Sequence, residues 1–560
     1  MGICQSRDHR LNQNVNKPFQ PGSRYHPSFL EKHESVILEK IGIAKSLLEH
    51  AKDEENVLGR PFKFDRSEMD SPLSHYFINS SHNSYLEGNQ LTGLSSGEAV
   101  RDILLHGGRV IELDCYDGPK GEPIVTHGGT VCKPTLLRNC LMAIKESGFE
   151  RSEYPVIVTF ENHVNVEQRG VMGDMLEEIF GDILYRPESN INSEWPSPNQ
   201  LKGKVVVRDK LLHKQDSKKS KSGKESKFLS SITESKKEKK VAAAAVLTTS
   251  KTLSPSMHEV LMDNEDNEED DEDYYEDEAA ETLAPGSVAD KLKKLVLIGN
   301  VKFHGYEEAK KWDGVKSCSI SEKKVEKMIK KAMASEAEYK ELVQFTKKHL
   351  LRCYPGGLRL LSDNADPNMA WSVGTSIVAL NFQGKDRAIF MNRGKFADNG
   401  GSGYIKKPQF LLDGKKTGAS AKTLTFTILA GSGWEAFKNA DIVGAPDTYV
   451  KVSICGKNGS SQQTKVFSEA RVGPNAQPHW NEKITLESKC PELDLVLFEV
   501  FDQDPDADDL LGYYCCSVLN VQKGLKHVPL FDVHGHHCMY TGKKRPEIHG
   551  ECASILVDVE

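Results

Sequence analysis

Residues 213–290 constrain this chain more than any other stretch, because they cannot join a packed core and yet the same structural pattern stands on both sides of them. The segment opens lysine- and serine-rich (KKSKSGKESK, then SKKEKK), passes through AAAAV, and ends in an acidic run, residues 263–281, with thirteen acids and no base. Blocks of like charge with little apolar content bury too little surface to offset the entropy of ordering, which predicts a disordered linker. Before it, short β-branched runs at 76–78, 109–114, 155–160 and 204–208 alternate with helical patterns at 97–105 and 136–147. After it, the alternation resumes at 294–298, continues through a helical stretch over 322–349 and includes a strand at 376–382. Strands alternating with helices make parallel βα units, so a single α/β domain is split by an insertion.

From about residue 423 the period falls to two. LTFTILAG, DTYVKVSICG, EKITLE, LVLFEVFD, YYCCSVL, HVPLF and ASILVDVE are short alternating strands separated by turns, which predicts an all-β sandwich. The expected plan is an anchor at 1–15, a short helical region at 16–70, a first half-domain at 71–212, the linker at 213–290, a second half at 291–412 and the sandwich at 420–560. Within 16–70, Leu30, Ile37, Ile41, Leu47 and Leu48 follow helical spacing and predict an amphipathic helix packed on the next domain. The first residues, MGICQS, fit N-myristoylation of Gly2 with Cys4 placed for palmitoylation, and two acyl chains anchor where one does not.

Removing the acids of 263–281 from a formal charge of −8 leaves +5, so the remainder is mildly basic and suits anionic partners. Twelve scattered cysteines without a zinc-type pair point to a reducing compartment. No window approaches the roughly 18 apolar residues of a membrane span, and no secretory apolar region follows Met1.

In the first half, Glu112 and Asp114 lie two apart on a strand and so point to one face. Two carboxylates on one face repel unless a cation lies between them. Glu161 ends the next strand, and His82 with Asn83 follows the strand before. In a (β/α)8 barrel the strand ends form the active face. Asn83, Glu112, Asp114 and Glu161 make an all-oxygen set with three negative charges, which suits calcium better than zinc.

These residues carry a resemblance. SHYFINSSHNSYLEGNQLTG, RVIELDCYDG, EPIVTHGGT, YPVIVTFENH and QLKGKVVV resemble the X box of eukaryotic phosphoinositide-specific phospholipase C, the delta-type enzymes most closely. RCYPGG, IVALNFQ and DNGGSGYIKKP resemble its Y box. The resemblance implies a TIM-like barrel split by a flexible linker, followed by a C2 sandwich. It implies calcium-dependent hydrolysis of phosphatidylinositol 4,5-bisphosphate to diacylglycerol and inositol 1,4,5-trisphosphate through a cyclic phosphodiester. Calcium would sit on Asn83, Glu112, Asp114 and Glu161, and one of Glu112 and Glu161 would serve as base. His82 would donate to the developing oxyanion and His127 would be the general acid. Arg208, Lys210, Ser319, Arg352 and Tyr354 would hold the head group, with Arg208 in place of the family's usual lysine and Asp209 in place of a small residue. Leu91, Val131 and Leu358 would form a reduced apolar rim for bilayer insertion.

In the sandwich, loop acids Asp441 and Asp447, and Asp502, Asp504 and Asp509, form a second candidate calcium site that bridges to anionic lipid, while Asp506 and Asp508 read as solvated. The acidic linker is expected to lie over the basic mouth until the membrane displaces it. Expected partners are the phosphoinositide substrate and an anionic membrane surface, with no nucleic acid, a monomeric state and peripheral placement on the inner face of the plasma membrane or another intracellular membrane. Two other classes stay open: a catalytically silent, membrane-tethered phosphoinositide scaffold, and a calcium-sensing adaptor in which the barrel is structural.

Overall fold

The computed structural model describes residues 57–59, 64–187, 194–210, 290–312, 315–416, 418–437, 446–468, 478–505, 507–539 and 552–560. Gly2, Cys4, the amphipathic stretch, the linker interior, Asp441 and Asp506 therefore lie outside the described residues.

Eight parallel strands close on themselves: β1 (Tyr76–Ser81), β2 (Val110–Tyr116), β3 (Val156–Asn162), β4 (Val205–Lys210), β5 (Val296–Asn300), β6 (Lys316–Ser321), β7 (Leu350–Tyr354) and β8 (Ile377–Leu380). β1 pairs with β8 on one side and with β2 on the other, through Ser80 and Val110. The inner layer toward the strands' N-terminal ends is apolar, with Ile78, Val110, Ile157, Val206, Ile298, Leu350 and Ile377 in one cluster. Glu112, Asp114, Glu161, Arg208 and Arg352 lie beyond this layer, toward the C-terminal ends of the strands, the face on which such barrels place their chemistry.

Helices α1 (Gly97–Leu105), α2 (Leu137–Ser147), α3 (Val166–Phe180), α4 (Asp290–Leu295), α5 (Glu322–Ala334), α6 (Glu336–Lys348) and α7 (Arg387–Phe396) surround the strands. Two sequence expectations are corrected here. The stretch 322–349 is two helices, because Ser335 leaves the helical region (φ −137°, ψ 130°) and its side chain caps the next helix by accepting the Glu338 N–H. The second half opens with helix α4, and its strand starts at Val296.

The sandwich stacks two antiparallel four-stranded sheets. One contains β9 (Lys422–Ser432), β12 (His479–Ser488), β15 (Gly524–Pro529) and β16 (Ser554–Val559); the other contains β10 (Thr448–Cys455), β11 (Ser460–Gln463), β13 (Leu495–Asp502) and β14 (Asp509–Ser517). Barrel and sandwich share a core across α7. Phe390 stacks on Tyr513 with ring centroids 3.8 Å apart, and Arg387 reaches the buried Glu499 at 3.1 Å. Gly394 permits the approach, since a Cβ there would lie 2.5 Å from Cys515 Sγ. A finding without a sequence signal is that Val57–Gly59 straps the sandwich: Val57 bridges His527, the Leu58 N–H donates to the His527 carbonyl at 2.7 Å, and the Leu58 side chain is fully buried in the sandwich core.

Candidate active site

The barrel mouth has an acidic wall and a basic wall. β2 and β3 build the first. Their register sets Asp114 directly beside Glu161, while Glu112 shares the inward face of β2. One oxygen from each of Glu112, Asp114 and Glu161 lies within 4.8 Å of the others. Each carboxylate is held. The Tyr85 hydroxyl donates to Asp114 Oδ2 at 2.7 Å, and the backbone N–H of Asn83 donates to Glu112 Oε2 at 3.2 Å. His163 Nε2 lies 2.8 Å from Glu161 Oε1, with its ring stacked on Tyr116 at 4.6 Å. Burial pushes the Glu161 carboxyl up, but His163, with Arg352 and Lys210 further off, outweighs it and holds the group at about 2.

Asn83 stands at φ 42°, a left-handed conformation asparagine tolerates, which turns the chain just after β1. Its side-chain nitrogen donates to Gln90 Oε1 at 2.9 Å, leaving the carbonyl oxygen as the ligand-type atom. This donor set fits calcium. Calcium–oxygen distances of roughly 2.3–2.6 Å place ligand oxygens up to about 5 Å apart across the ion, and the three carboxylates meet that spacing with hard oxygen donors.

The basic wall comes from β4 to β7. Arg208 is buried, with Nε donating to Ser317 Oγ at 2.9 Å and Nη2 to Asn300 Oδ1 at 2.8 Å and Ser319 Oγ at 2.9 Å. Arg352 donates to the same Ser319 Oγ at 3.3 Å, sits 5.0 Å above the Tyr354 ring, and forms a buried ion pair with Glu112 that joins the two walls. Lys210 is exposed at the end of β4.

Both histidines are fixed by one ring nitrogen. His82 Nδ1 lies 2.9 Å from Asn381 Oδ1, and His127 Nδ1 lies 2.6 Å from the Gln90 carbonyl. Both partners are acceptors, so Nδ1 carries a proton in each ring and the exchangeable position is Nε2. Burial lowers the His82 proton affinity, against the raising effect of Glu112.

The structure thus brings together His82, Asn83, Glu112, Asp114, Glu161, Arg208, Ser319, Arg352 and Tyr354. Sequence reasoning missed the residues that position them: Tyr85, Gln90, His163, Asn300, Ser317 and Asn381. Ser317 had a signal, since it lies two residues before Ser319 on one strand face, and His163 lies two residues after Glu161.

Asp209 departs from expectation: it alternates away from Arg208, is buried, and accepts from Asn162 Nδ2 at 3.4 Å, so it does not face the head-group wall. The rim is also corrected. Of the three expected residues Val131 is 57% exposed, but Leu91 is buried and Leu358 partly so, while Leu94 and Leu361, which were not expected, are 45% and 63% exposed. In the sandwich, Asp502 Oδ1 accepts the Asp447 N–H at 2.8 Å, and Asp509 faces solvent opposite Asp502. Asp508 is exposed but accepts from the Tyr449 hydroxyl at 2.6 Å. Among the described residues, the barrel trio is the one group of three metal-type ligands within 4.8 Å.

Comparison with known proteins gives this geometry a family. Residues 69–211 match the X domain of phosphatidylinositol-specific phospholipase C, residues 292–410 match its Y domain, and residues 422–532 match a C2 domain. Phosphoinositide phospholipase C 4 of Arabidopsis thaliana is 34% identical over 490 residues, covering 83% of this chain and 78% of that protein. The chain belongs to the phosphoinositide-specific phospholipase C family. A second phospholipase relative, 1-phosphatidylinositol 4,5-bisphosphate phosphodiesterase zeta-1 of Sus scrofa, is 32% identical over 483 residues, covering 84% of this chain and 73% of that one. The crystal structure of L. pealei PLC21 superposes with a TM-score of 0.68 at 27% identity, covering 95% of this chain; this chain spans 62% of that longer one. Both catalytic halves of the phospholipase C family and its C2 domain are therefore present, and no helix among the described residues is long and apolar enough to cross a membrane.

Proposed function

We propose that this protein is a calcium-dependent phospholipase C that cleaves phosphatidylinositol 4,5-bisphosphate to diacylglycerol and inositol 1,4,5-trisphosphate in intracellular signalling, working peripherally at a membrane. The observation that carries the reading is the pairing of a three-carboxylate cluster with an Arg208–Ser319–Arg352 wall across one barrel mouth. The guanidiniums and Lys210 suit the ring phosphates, and Tyr354 offers a face to the ring. Calcium held by Asn83, Glu112, Asp114 and Glu161 would lower the pKa of the inositol 2-hydroxyl and offset negative charge gathering on phosphorus.

The chain's own groups then move the protons. Both Glu112 oxygens accept hydrogen bonds, from Arg352 and from Asn83, whereas His163 engages one Glu161 oxygen, Oε1, so Glu161 is the carboxylate assigned as base; its low proton affinity requires the acidified 2-hydroxyl that bound calcium would supply. As that oxygen bonds to phosphorus, the bond to the diacylglycerol oxygen breaks, and His127 delivers its Nε2 proton to the leaving oxygen. What remains is the neutral tautomer that the Gln90 carbonyl already holds. In that form Nε2 accepts a proton from water, which opens the cyclic phosphate, and Glu161 returns its proton to the 2-oxygen. His82 is held at Nδ1 by Asn381, and its Nε2 would donate to a phosphoryl oxygen once the negative phosphate beside it offsets the burial that lowers its proton affinity.

The test is release of water-soluble inositol phosphate from vesicles containing phosphatidylinositol 4,5-bisphosphate, titrated with calcium, for the natural chain beside His127→Ala. Calcium-dependent release that falls about 10²–10⁴-fold in the variant is expected. No release at any calcium concentration, with vesicle binding intact, would transfer the chain to the silent scaffold class.

A further inference from the structure

The head-group reading leaves the outer face of α5 unexplained. This helix carries Lys323, Lys324, Lys327, Lys330 and Lys331, all exposed. At about 100° per residue the five fall within an arc of about 120°. Val325, Ile329 and Ala332 on the opposite side are buried. Lys327 adds repulsion to Lys324, whose ammonium burial already pushes below the usual lysine range.

Position gives the arc its meaning. α5 begins directly after β6, so its first turn stands on the same end of the barrel as the carboxylates. The adjacent strands end in the same sector, β4 at the exposed Lys210 and β5 just before the exposed Lys302. The loops that follow β1 and β2, across the mouth, carry the exposed Leu94 and Val131, while the loop after β7, the strand paired with β6, carries the exposed Leu361 beside α5. The end of the barrel that carries the carboxylates thus bears both exposed apolar loop tips and a flanking cationic arc, the arrangement of a surface that inserts side chains into a bilayer and rests lysines on its charged head groups.

We propose that Lys302, Lys323, Lys324 and Lys327 form a docking surface for the anionic face of a lipid bilayer, separate from the head group held in the catalytic mouth. The proposal rests on the lipid-hydrolysing reading, which fixes the end of the barrel that meets the membrane. A lysine close to an anionic surface is worth about fivefold in partitioning, and the effect fades within about 10 Å at 0.1 M salt. The acidic run 263–281 is the competing occupant by charge, and the experiment separates the two.

Full-length Lys323→Gln/Lys324→Gln/Lys327→Gln, which keeps helix-forming side chains, is compared with the natural chain in co-sedimentation with phosphatidylcholine–phosphatidylserine vesicles that contain no phosphoinositide. Binding about 100-fold weaker at low salt is expected, with a difference that shrinks as salt is raised. Hydrolysis of soluble inositol 1,2-cyclic phosphate, which needs no membrane, is expected to be unchanged. Equal vesicle binding overturns the proposal. So does a natural chain whose vesicle binding is insensitive to the three substitutions until the acids of 263–281 are neutralised, which would assign the lysines to that run. If neither chain hydrolyses the cyclic phosphate, the enzymatic reading fails, and the vesicle comparison still decides the docking surface.

Discussion

Asp114→Asn is expected to make the calcium-free protein more stable and to remove most of its stabilisation by calcium. The carboxylate oxygens of Glu112, Asp114 and Glu161 lie within 4.8 Å of one another, so at an effective dielectric of about 20 each like-charged pair repels by at least about 3.5 kcal/mol. Neutralising Asp114 removes two of the three pairs, about 7 kcal/mol of gross repulsion. Part of that is offset, because Asp114 also loses its attraction to Arg352, which lies against Glu112 in the same mouth. Asparagine keeps an oxygen to accept from Tyr85, so no buried hydroxyl is orphaned. A net gain of about 1–3 kcal/mol remains, equivalent to roughly 1–3 °C in Tm for a chain of 560 residues.

The natural chain should instead gain stability from calcium by RT ln(1 + [Ca]/Kd), about 2.7 kcal/mol at a hundredfold excess over Kd. Thermal melts of both chains with chelator and with saturating calcium measure both effects. A variant that melts below the natural chain in chelator, or one that keeps the full calcium shift, would refute the reasoning that these carboxylates are a repulsive cluster built around a cation.

Arg208→Lys cannot maintain the forked contacts to Ser317, Asn300 and Ser319, so KM for the bisphosphorylated head group should rise about tenfold while KM for unphosphorylated phosphatidylinositol stays level. Comparing the two substrates in mixed micelles checks this. His349 is buried between Trp312 and Phe345, and burial lowers its pKa from 6.5 to about 4. The unfolded chain then binds the extra proton, so stability is full above about pH 6.5 and declines as pH falls toward 4, by up to about 3 kcal/mol; urea midpoints of His349→Leu should show a shallower acid limb. Leu58→Ala, at a fully buried position in the sandwich core, should cost about 2–5 kcal/mol in urea unfolding, although Leu58 lies far outside the sandwich in sequence.

The parts of the fold that were legible are those written in local periodicity. Strand and helix alternate on both sides of the insertion, and a period of two sets Glu112 and Asp114 on one face without knowledge of the tertiary fold. The break at Ser335 was legible as well and went unread: Ser335 followed three residues later by Glu338 is a helix-start signal inside a continuous apolar pattern. The rim held at Val131 and failed at Leu91 and Leu358 for a different reason. Leu91 and Leu94 are equally apolar in sequence, and the fold alone turns Leu91 inward and leaves Leu94 exposed. Contacts between distant residues had no local signature. Glu112 and Arg352 stand 240 positions apart, and Val57–Gly59 reaches a strand more than 450 positions away.

The insertion and the active site are connected by strand order. The chain leaves the barrel at the end of β4 and returns through α4 to β5, and these two strands are hydrogen-bonded neighbours, with Arg208 beside Ile298 and Lys210 beside Asn300. A segment joining adjacent strands can lengthen at about 0.6 kcal/mol per doubling, so the barrel tolerates the insertion at this point with little penalty. The same junction carries the head-group wall. Arg208 comes from the first half, and the three side chains that hold it, Asn300, Ser317 and Ser319, come from the second. The acidic wall lies wholly in the first half, and its tie to the basic wall, Glu112 to Arg352, crosses the same division. Neither half alone therefore contains a complete mouth: the first would present three repelling carboxylates without their arginine, and the second an arginine without its carboxylate. Closure of the barrel across the insertion assembles the charge balance on which the site depends.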